Sequence, residues 1–264
     1  MKHVVITGGS RGIGLGLAKS FLNLGCRVTI CASSPKSVDK SVADLFAEIR
    51  EERVAGIECD VTDVRAVRLL WEFAQGKAPI DIWINNAGIS GPQVPFVQLA
   101  SQNYEQVVDV NLVGMLNGCR VAAEGFVHQG FGHIYNMEGM GSDGRLIMGL
   151  AVYGSTKRAL RYFTQALSAE LKHSPVGVSA LSPGIVLTDL LLEGLRENSE
   201  QFANAQKILN ILADEVDTVT PWLARKVLGN QKSGTLIAWL TIGKILFRFL
   251  RTPFSKRDLF SSQI

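Results

Sequence analysis

Seven short apolar runs, separated by stretches of helical period, leave this chain few ways to fold. The runs are His3–Thr7, Arg27–Cys31, Val54–Cys59, Ile80–Asn85, His133–Met137, Val176–Leu181 and Thr235–Leu240. Helical spacing fills most of the intervals, at Ile13–Leu24, Ser34 to about Glu52, Asp63 to Gln75, Ser101 to Val127, and Ala151–His173. Gly25 stops the first helix, and Ser34-Pro35 opens the second as an N-cap with proline at the first helical position. Thr220-Pro221 carries the same signal and predicts a short helix ending at Gly229. Apolar strands alternating with helices imply a parallel sheet covered on both faces. Right-handed crossovers make that a doubly wound α/β fold of about seven strands. No linker or low-complexity stretch divides it, so residues 1–264 are expected to form one domain. Ligands of such folds sit beyond the carboxyl ends of the strands.

Composition narrows the function classes. With 27 basic and 24 acidic residues the net charge is +3, too balanced to suggest a nucleic-acid surface. Cys26, Cys31, Cys59 and Cys119 are scattered, as buried thiols of a reducing compartment would be. His3, His128, His133 and His173 are equally dispersed, so no metal site is expected. Strand-like sequence from His3 leaves no room for a signal or transit peptide, although a trimmed precursor would look the same. Leu236–Leu250 is the most apolar stretch, but it is too short to span a bilayer and contains Lys244 and Arg248.

The motifs fall where strands end. Thr7-Gly8-Gly9-Ser10-Arg11-Gly12-Ile13-Gly14 follows the first strand and opens a helix. Glycines there let backbone approach a pyrophosphate, and the helix N-terminus favours its charge. Cys31-Ala32-Ser33-Ser34 ends the second strand without the acidic residue that would bind a ribose 2′-hydroxyl. Arg11 and Lys36 lie near in sequence, which favours NADP over NAD. Asp60-Val61 follows the third strand, and Asp60 fits either an adenine amino group or a helix N-terminus. Asn85-Asn86-Ala87-Gly88 follows the fourth, with small and amide residues suited to close packing on a cofactor. Asn111 interrupts a long helix, where it fits a bound water, a kink or an exposed side chain. Ser182-Pro183-Gly184-Ile185-Val186-Leu187-Thr188 ends the sixth strand at the same rim.

Tyr153 and Lys157 are four apart on a helix and share a face. A phenol with a pKa near 10 is a poor acid at pH 7. An ammonium one turn away is expected to stabilise the phenolate and bring the phenol into a useful range.

Together, TGGSRGIG, Asp60-Val61, NNAG, Asn111, YGSTK and SPG resemble the short-chain dehydrogenase/reductase family in order and spacing, over about Lys2 to Thr188. The resemblance implies a Rossmann fold and a nicotinamide cofactor, NADP(H). It implies Tyr153 as catalytic acid, Lys157 on the nicotinamide ribose, and Asn111 holding a water of the proton relay. Gly8, Ser10, Arg11, Gly12, Ile13 and Gly14 would line the phosphates, Ser33 and Ser34 the adenosine side, and Asp60 and Val61 the adenine. Asn86, Ala87 and Gly88 would face the adenosine ribose, and Pro183, Gly184, Val186 and Thr188 the nicotinamide. The family habit of pairing long helices implies a homodimer or homotetramer.

One departure stands out. The family's usual serine lies three residues after the strand-five Asn and thirteen before the Tyr, which here gives Gly139 or Met140. Either Ser142, as a fourth catalytic residue, or backbone N–H groups of Gly139–Gly141 would polarise the carbonyl. The stretch NMEGMGSDGR with AVYGSTKRAL resembles the chlorophyll b reductase subfamily, as do SPGIVLTDLLL and NILADEVDTV. Its members reduce the 7-formyl group of chlorophyll(ide) b with NADPH, which implies a chlorophyll pigment as substrate and a plastid-stromal or cytoplasmic compartment on the thylakoid side. A reductase of another bulky apolar aldehyde or ketone, or a non-catalytic NADP-binding protein, fits the same frame.

Residues 187–230 are expected to cover the substrate, and the apolar part from Leu187 to Val219 suits either a large apolar ligand or a dimer core. In the tail, 242–264, Ile242, Ile245, Leu246, Phe249 and Leu250 share one helical side. Lys244, Arg248 and Arg251 take the other, and Lys256 and Arg257 follow. That pattern suits an anionic lipid interface or a subunit interface with its basic edge solvated.

Overall fold

The structure is a computed structural model. It describes residues 1–49, 52–196, 199–252 and 257–260, with the backbone alone at 193–196 and 199–205. The chain opens with β1 (His3–Thr7), α1 (Gly12–Asn23), β2 (Arg27–Ala32), α2 (Pro35–Ile49), β3 (Val54–Glu58), α3 (Val64–Gln75) and β4 (Ile82–Asn85). It continues through α4 (Ser101–Val108), a π turn at Asp109–Val113, α5 (Gly114–Gln129), β5 (Gly132–Met137), α6 (Ala151–Glu170) and β6 (Val176–Ser182). The last part is β7 (Ile185–Leu187), α7 (Asp189–Arg196), α8 (Ser199–Leu212), β8 (Ala213–Glu215), α9 (Val216–Gly229), β9 (Leu236–Ala238) and α10 (Ile242–Arg251).

Seven strands form one parallel sheet in the order β3-β2-β1-β4-β5-β6-β9. Alternate residues of each strand feed opposite cores. Val4, Ile6, Ile84 and Tyr135 join α1 and α9 in one core, and Val5, Trp83 and Ile134 join α3 and α5 in the other. The order reverses between β1 and β4, so a crevice opens beyond their carboxyl ends. All four cysteines are buried free thiols.

The expected sheet is present, and three local features differ from expectation. A two-stranded pair, β7 with β8, lies outside the main sheet. The long helix is interrupted at Asp109–Val113, the π turn containing Asn111. The helix expected to open at Thr220-Pro221 begins instead at Val216, with Pro221 inside it. Packing accounts for the earlier start: α9 lies so close to α1 that a Cβ on Gly16 would collide with Val216, and the Thr220 hydroxyl donates to the Val216 carbonyl at 2.9 Å. The helix opened by Ser34-Pro35 does begin at Pro35, with Ser37 N donating to Ser34 Oγ. The helix is expected to run to about Glu52, but it is described only to Ile49; residues 50–51 lie outside the described residues and Glu52 lies in a turn.

The tail corrects the expectation of a solvated basic edge. Arg248 turns inward, donating to Asp214 Oδ2 at 2.6 Å and to the Leu212 carbonyl at 2.9 Å. Arg257 and Trp239 also bond to Asp214, and Lys244 lies over the Trp239 ring at 2.9 Å from its centroid. Asp214 is buried, so this cluster anchors the basic side of α10 to the body. Ile242, Leu246, Phe249 and Leu250 are exposed on the other side, whereas Ile245 is half-buried. The part of the tail containing Lys256 lies outside the described residues. No helix among the described residues is long and apolar enough to cross a membrane.

Candidate active site

The floor of the crevice is built from the β1–α1 turn. Gly8 has φ of 62°, and a Cβ there would sit 2.8 Å from Ala87 Cα, so only glycine lets the two loops meet. A Cβ on Gly14 would collide with the Gly8 carbonyl. Asn86 fixes the join: its Nδ2 donates to the carbonyls of Thr7 at 2.9 Å and Gly8 at 3.0 Å. Thr7 Oγ1 accepts from the backbone N–H groups of Asn86 and Ala87. A second layer of amides lies beneath. Asn85 Nδ2 donates to Asn136 Oδ1 at 2.8 Å, and Asn136 Nδ2 donates to Thr164 Oγ1 at 2.9 Å, tying β4 and β5 to α6.

These elements enclose a cleft of about 300 Å³. Of the residues expected on the cofactor, Gly8, Ser10, Arg11, Gly12, Ile13, Gly14, Ser33, Asp60, Val61, Asn86, Ala87, Gly88, Tyr153, Lys157 and Thr188 all line it. Asp63, not Asp60, caps α3, accepting from Arg65 N at 2.8 Å. Asp60 instead accepts from Thr62 N and Oγ1 at the cleft edge. Ser34 does not line the cleft and instead caps α2, while Pro183, Gly184 and Val186 line the adjoining pocket rather than the cleft. Glycine backbone and the N-terminus of α1 face the cleft, which suits a dinucleotide's phosphates.

A smaller, mainly apolar pocket of about 90 Å³ adjoins the cleft, lined by Pro183, Gly184, Val186, Leu150, Leu191 and Met140 among others. Tyr153, Glu138, Ile13, Thr188 and Leu190 line both spaces, so Tyr153 stands at their junction. Its position is set by α6 and by packing with Val107 and Leu150. Lys157, one turn on, is buried and donates to the Met137 carbonyl at 3.2 Å. Its Nζ lies 5.8 Å from the centre of the Tyr153 ring.

Electrostatically, the pair differs from the expected lowered phenol. Burial pushes Tyr153 up to about 12 and Lys157 down to about 8, the latter opposed by the Glu138 carboxylate. In the chain alone, desolvation outweighs the attraction of an ammonium that points toward a backbone carbonyl.

Two candidates border the reacting pair without lining either space. Asn111 is buried in the π turn, where its Oδ1 accepts from Ile89 N and its Nδ2 donates to Ile89 O, both at 2.8 Å. It clamps the loop after β4 and lines neither space. Ser142 Oγ accepts from Gly139 N at 3.0 Å and donates to Gly139 O at 2.5 Å. Its hydroxyl is thus spent on the turn and occupies the Gly139 N–H as well. Gly139 itself lies beneath the Tyr153 hydroxyl, which fills the space where a side chain at 139 would begin.

A family model described as short chain dehydrogenase matches residues 2–198. The chain belongs to the short-chain dehydrogenase/reductase family. It is an NAD(P)-dependent oxidoreductase acting on a carbonyl. The rice (Oryza sativa subsp. japonica) chlorophyll(ide) b reductase NOL, chloroplastic, is 40% identical over 97% of this chain and 76% of its own length. The rice probable chlorophyll(ide) b reductase NYC1, chloroplastic, is 38% identical over 93% of this chain, which spans only 51% of that protein. These likenesses place the short-chain reductase in the chlorophyll(ide) b reductase subfamily. A crystal structure of levodione reductase shares its fold with a TM-score of 0.81 at 21% identity, covering 92% of this chain and 97% of the other. An actinorhodin polyketide ketoreductase structure does so with a TM-score of 0.79 at 23% identity, covering 90% and 95%.

Sequence reasoning missed one polar group in this reductase's site. Glu138 is buried, lines both spaces and follows directly on an apolar strand. A charged residue continuing a buried strand was the available signal.

Proposed function

We propose that this reductase is an NADPH-dependent chlorophyll(ide) b reductase, converting the 7-formyl group to 7-hydroxymethyl. The observation that carries the reading is the Tyr153 hydroxyl at the junction of a glycine-floored cleft and an apolar pocket. The similarity to the rice NOL protein over 97% of the chain supports the substrate. NADPH, bound in the cleft, would supply the hydride to the formyl carbon. Tyr153 gives its proton to the formyl oxygen, so that one hydride and one proton complete the alcohol. The Lys157 ammonium steadies the phenolate left behind. Asn111 Oδ1, across Gly88 from the Lys157 ammonium, accepts one hydrogen bond from Ile89 N and would use its second lone pair to hold the water of the proton relay that reprotonates the phenolate. Ala32 and Ser33 line the cleft where β2 ends, and the absence of an acidic side chain at that strand end leaves room for a 2′-phosphate.

A 90 Å³ pocket admits only the formyl edge of a pigment. The rest would lie outside it, beside Met148, which is 86% exposed and whose carbonyl accepts from the pocket residue Gln93. We assign the exposed stripe of α10 to the membrane from which such a pigment comes, in a plastid-stromal compartment. Assembly as a homodimer or homotetramer through α5 and α6 belongs to the same proposal. The test is turnover of chlorophyllide b with NADPH, followed by the absorbance of the 7-hydroxymethyl product. Tyr153→Phe should lose roughly 10²-fold or more in rate while still binding NADPH. Turnover of simple aldehydes but not of chlorophyllide b would refute the substrate. Tyr153→Phe within about tenfold of the unmutated protein would refute the acid.

A further inference from the structure

The reaction as proposed does not use Glu138, yet few carboxyl groups are placed so awkwardly. It is 5% exposed, and its Oε1 makes no hydrogen bond. Arg161 Nε approaches that oxygen to 3.2 Å, an ion-pair contact without an aligned hydrogen bond. A buried acid left with spare acceptor capacity is costly, so an opposing benefit is needed for it to persist. Its neighbours show where that benefit lies. Met137, just before it, accepts the hydrogen bond from Lys157, and Gly139, just after it, lies under the Tyr153 hydroxyl. Glu138 therefore sits at the centre of the segment that seats both catalytic groups.

We propose that Glu138 is a positioning residue, the fixed counter-ion that holds the buried Lys157 ammonium charged beside Tyr153 and is itself tethered by Arg161. The proposal rests on the reading of Tyr153 and Lys157 as the reacting pair.

The charges around the pair are few. Arg161 is the charge in contact with Glu138, while Arg158 and Lys157 from α6 and Asp143 from the loop after β5 act on it through space. Facing Lys157 are Glu138, Tyr153 and, across Gly88, the uncharged Asn111 amide. Burial pushes Glu138 up, and Arg161 is the largest influence pulling it back. Lys157 is pushed down to about 8 by burial, and Glu138 is the one charge holding it up among the described residues. Removing the carboxylate while keeping its shape leaves the ammonium without an anion, and its proton should leave at lower pH.

The direct test needs neither substrate nor cofactor. The ε-carbon of Lys157, assigned by its loss in Lys157→Met, is titrated by ¹³C NMR in the full-length protein. Glu138→Gln should lower the Lys157 midpoint by roughly one pH unit or more, and Glu138→Asp should recover part of that shift. In the reduction assay, the alkaline limb of kcat/KM should move to lower pH in Glu138→Gln and return in Glu138→Asp. A Lys157 midpoint unchanged in Glu138→Gln, with the fold intact by circular dichroism, overturns the proposal. If Glu138→Gln does not fold, an unchanged midpoint in Glu138→Asp overturns it. Should the protein fail to reduce chlorophyllide b, the NMR titration still decides the role of Glu138, so the two readings fail separately.

Discussion

Gly139→Ala is the sharpest probe of the site, because it places one methyl group against the proton donor. Gly139 does not have a positive φ, so alanine fits its backbone. The obstacle lies in the space above it. A Cβ would overlap the Tyr153 hydroxyl, with Cζ of that ring at 3.2 Å and Cε of Lys157 at 3.3 Å. Against ordinary non-bonded separations, the overlap with the hydroxyl requires a withdrawal of about 1 Å. The ring cannot retreat freely, since Val107 and Leu150 pack against it. A displacement of about 1 Å at a reacting group costs on the order of 10²-fold in rate. We therefore expect kcat for reduction to fall about 10²-fold, with NADPH affinity nearly unchanged because Gly139 does not line the larger cleft. Gly139→Ser should fall similarly, although it restores the family's usual residue at that count. Stopped-flow hydride transfer and NADPH fluorescence titration measure the two quantities. Full activity in Gly139→Ala would refute the reasoning, because it would mean that the hydroxyl does not need its present position.

Ser142→Ala removes two hydrogen bonds to Gly139, so it should lower stability by about 1–2 kcal/mol and change the rate less than tenfold. A rate loss of roughly 10²–10³ in a stable variant would instead make its hydroxyl the carbonyl donor. For α10, the intact protein should sediment with anionic vesicles at low salt, and Leu246→Glu with Phe249→Glu should abolish this. Absence of pelleting refutes the membrane assignment, and loss of the oligomer in the double variant makes the stripe a subunit interface.

What could be read in the sequence, and what could not, divides by the range of the interaction responsible. The strands and the Tyr153–Lys157 pairing follow from spacing within one element, and the doubly wound parallel sheet follows from how consecutive elements pack. The features that escaped depend on distant partners. Pro221 looked like a helix start because its own preferences say so, but Gly16, some 200 positions earlier in the chain, lets Val216 pack closely and extends the helix back past the proline. The basic side of α10 looked solvated because Asp214, which draws in Arg248 and Arg257, comes from β8, a strand too short to announce itself. Ser142 looked like a spare hydroxyl, and only the turn's geometry shows that Gly139 takes both its donor and its acceptor. Glu138 is the instructive case. An acid next to a glycine reads as an ordinary loop residue until its surroundings show an apolar strand on one side and the lysine of α6 on the other. Its chemistry comes from that desolvated setting rather than from its residue type, so a side chain the sequence leaves unremarkable becomes the charge on which the site's lysine depends.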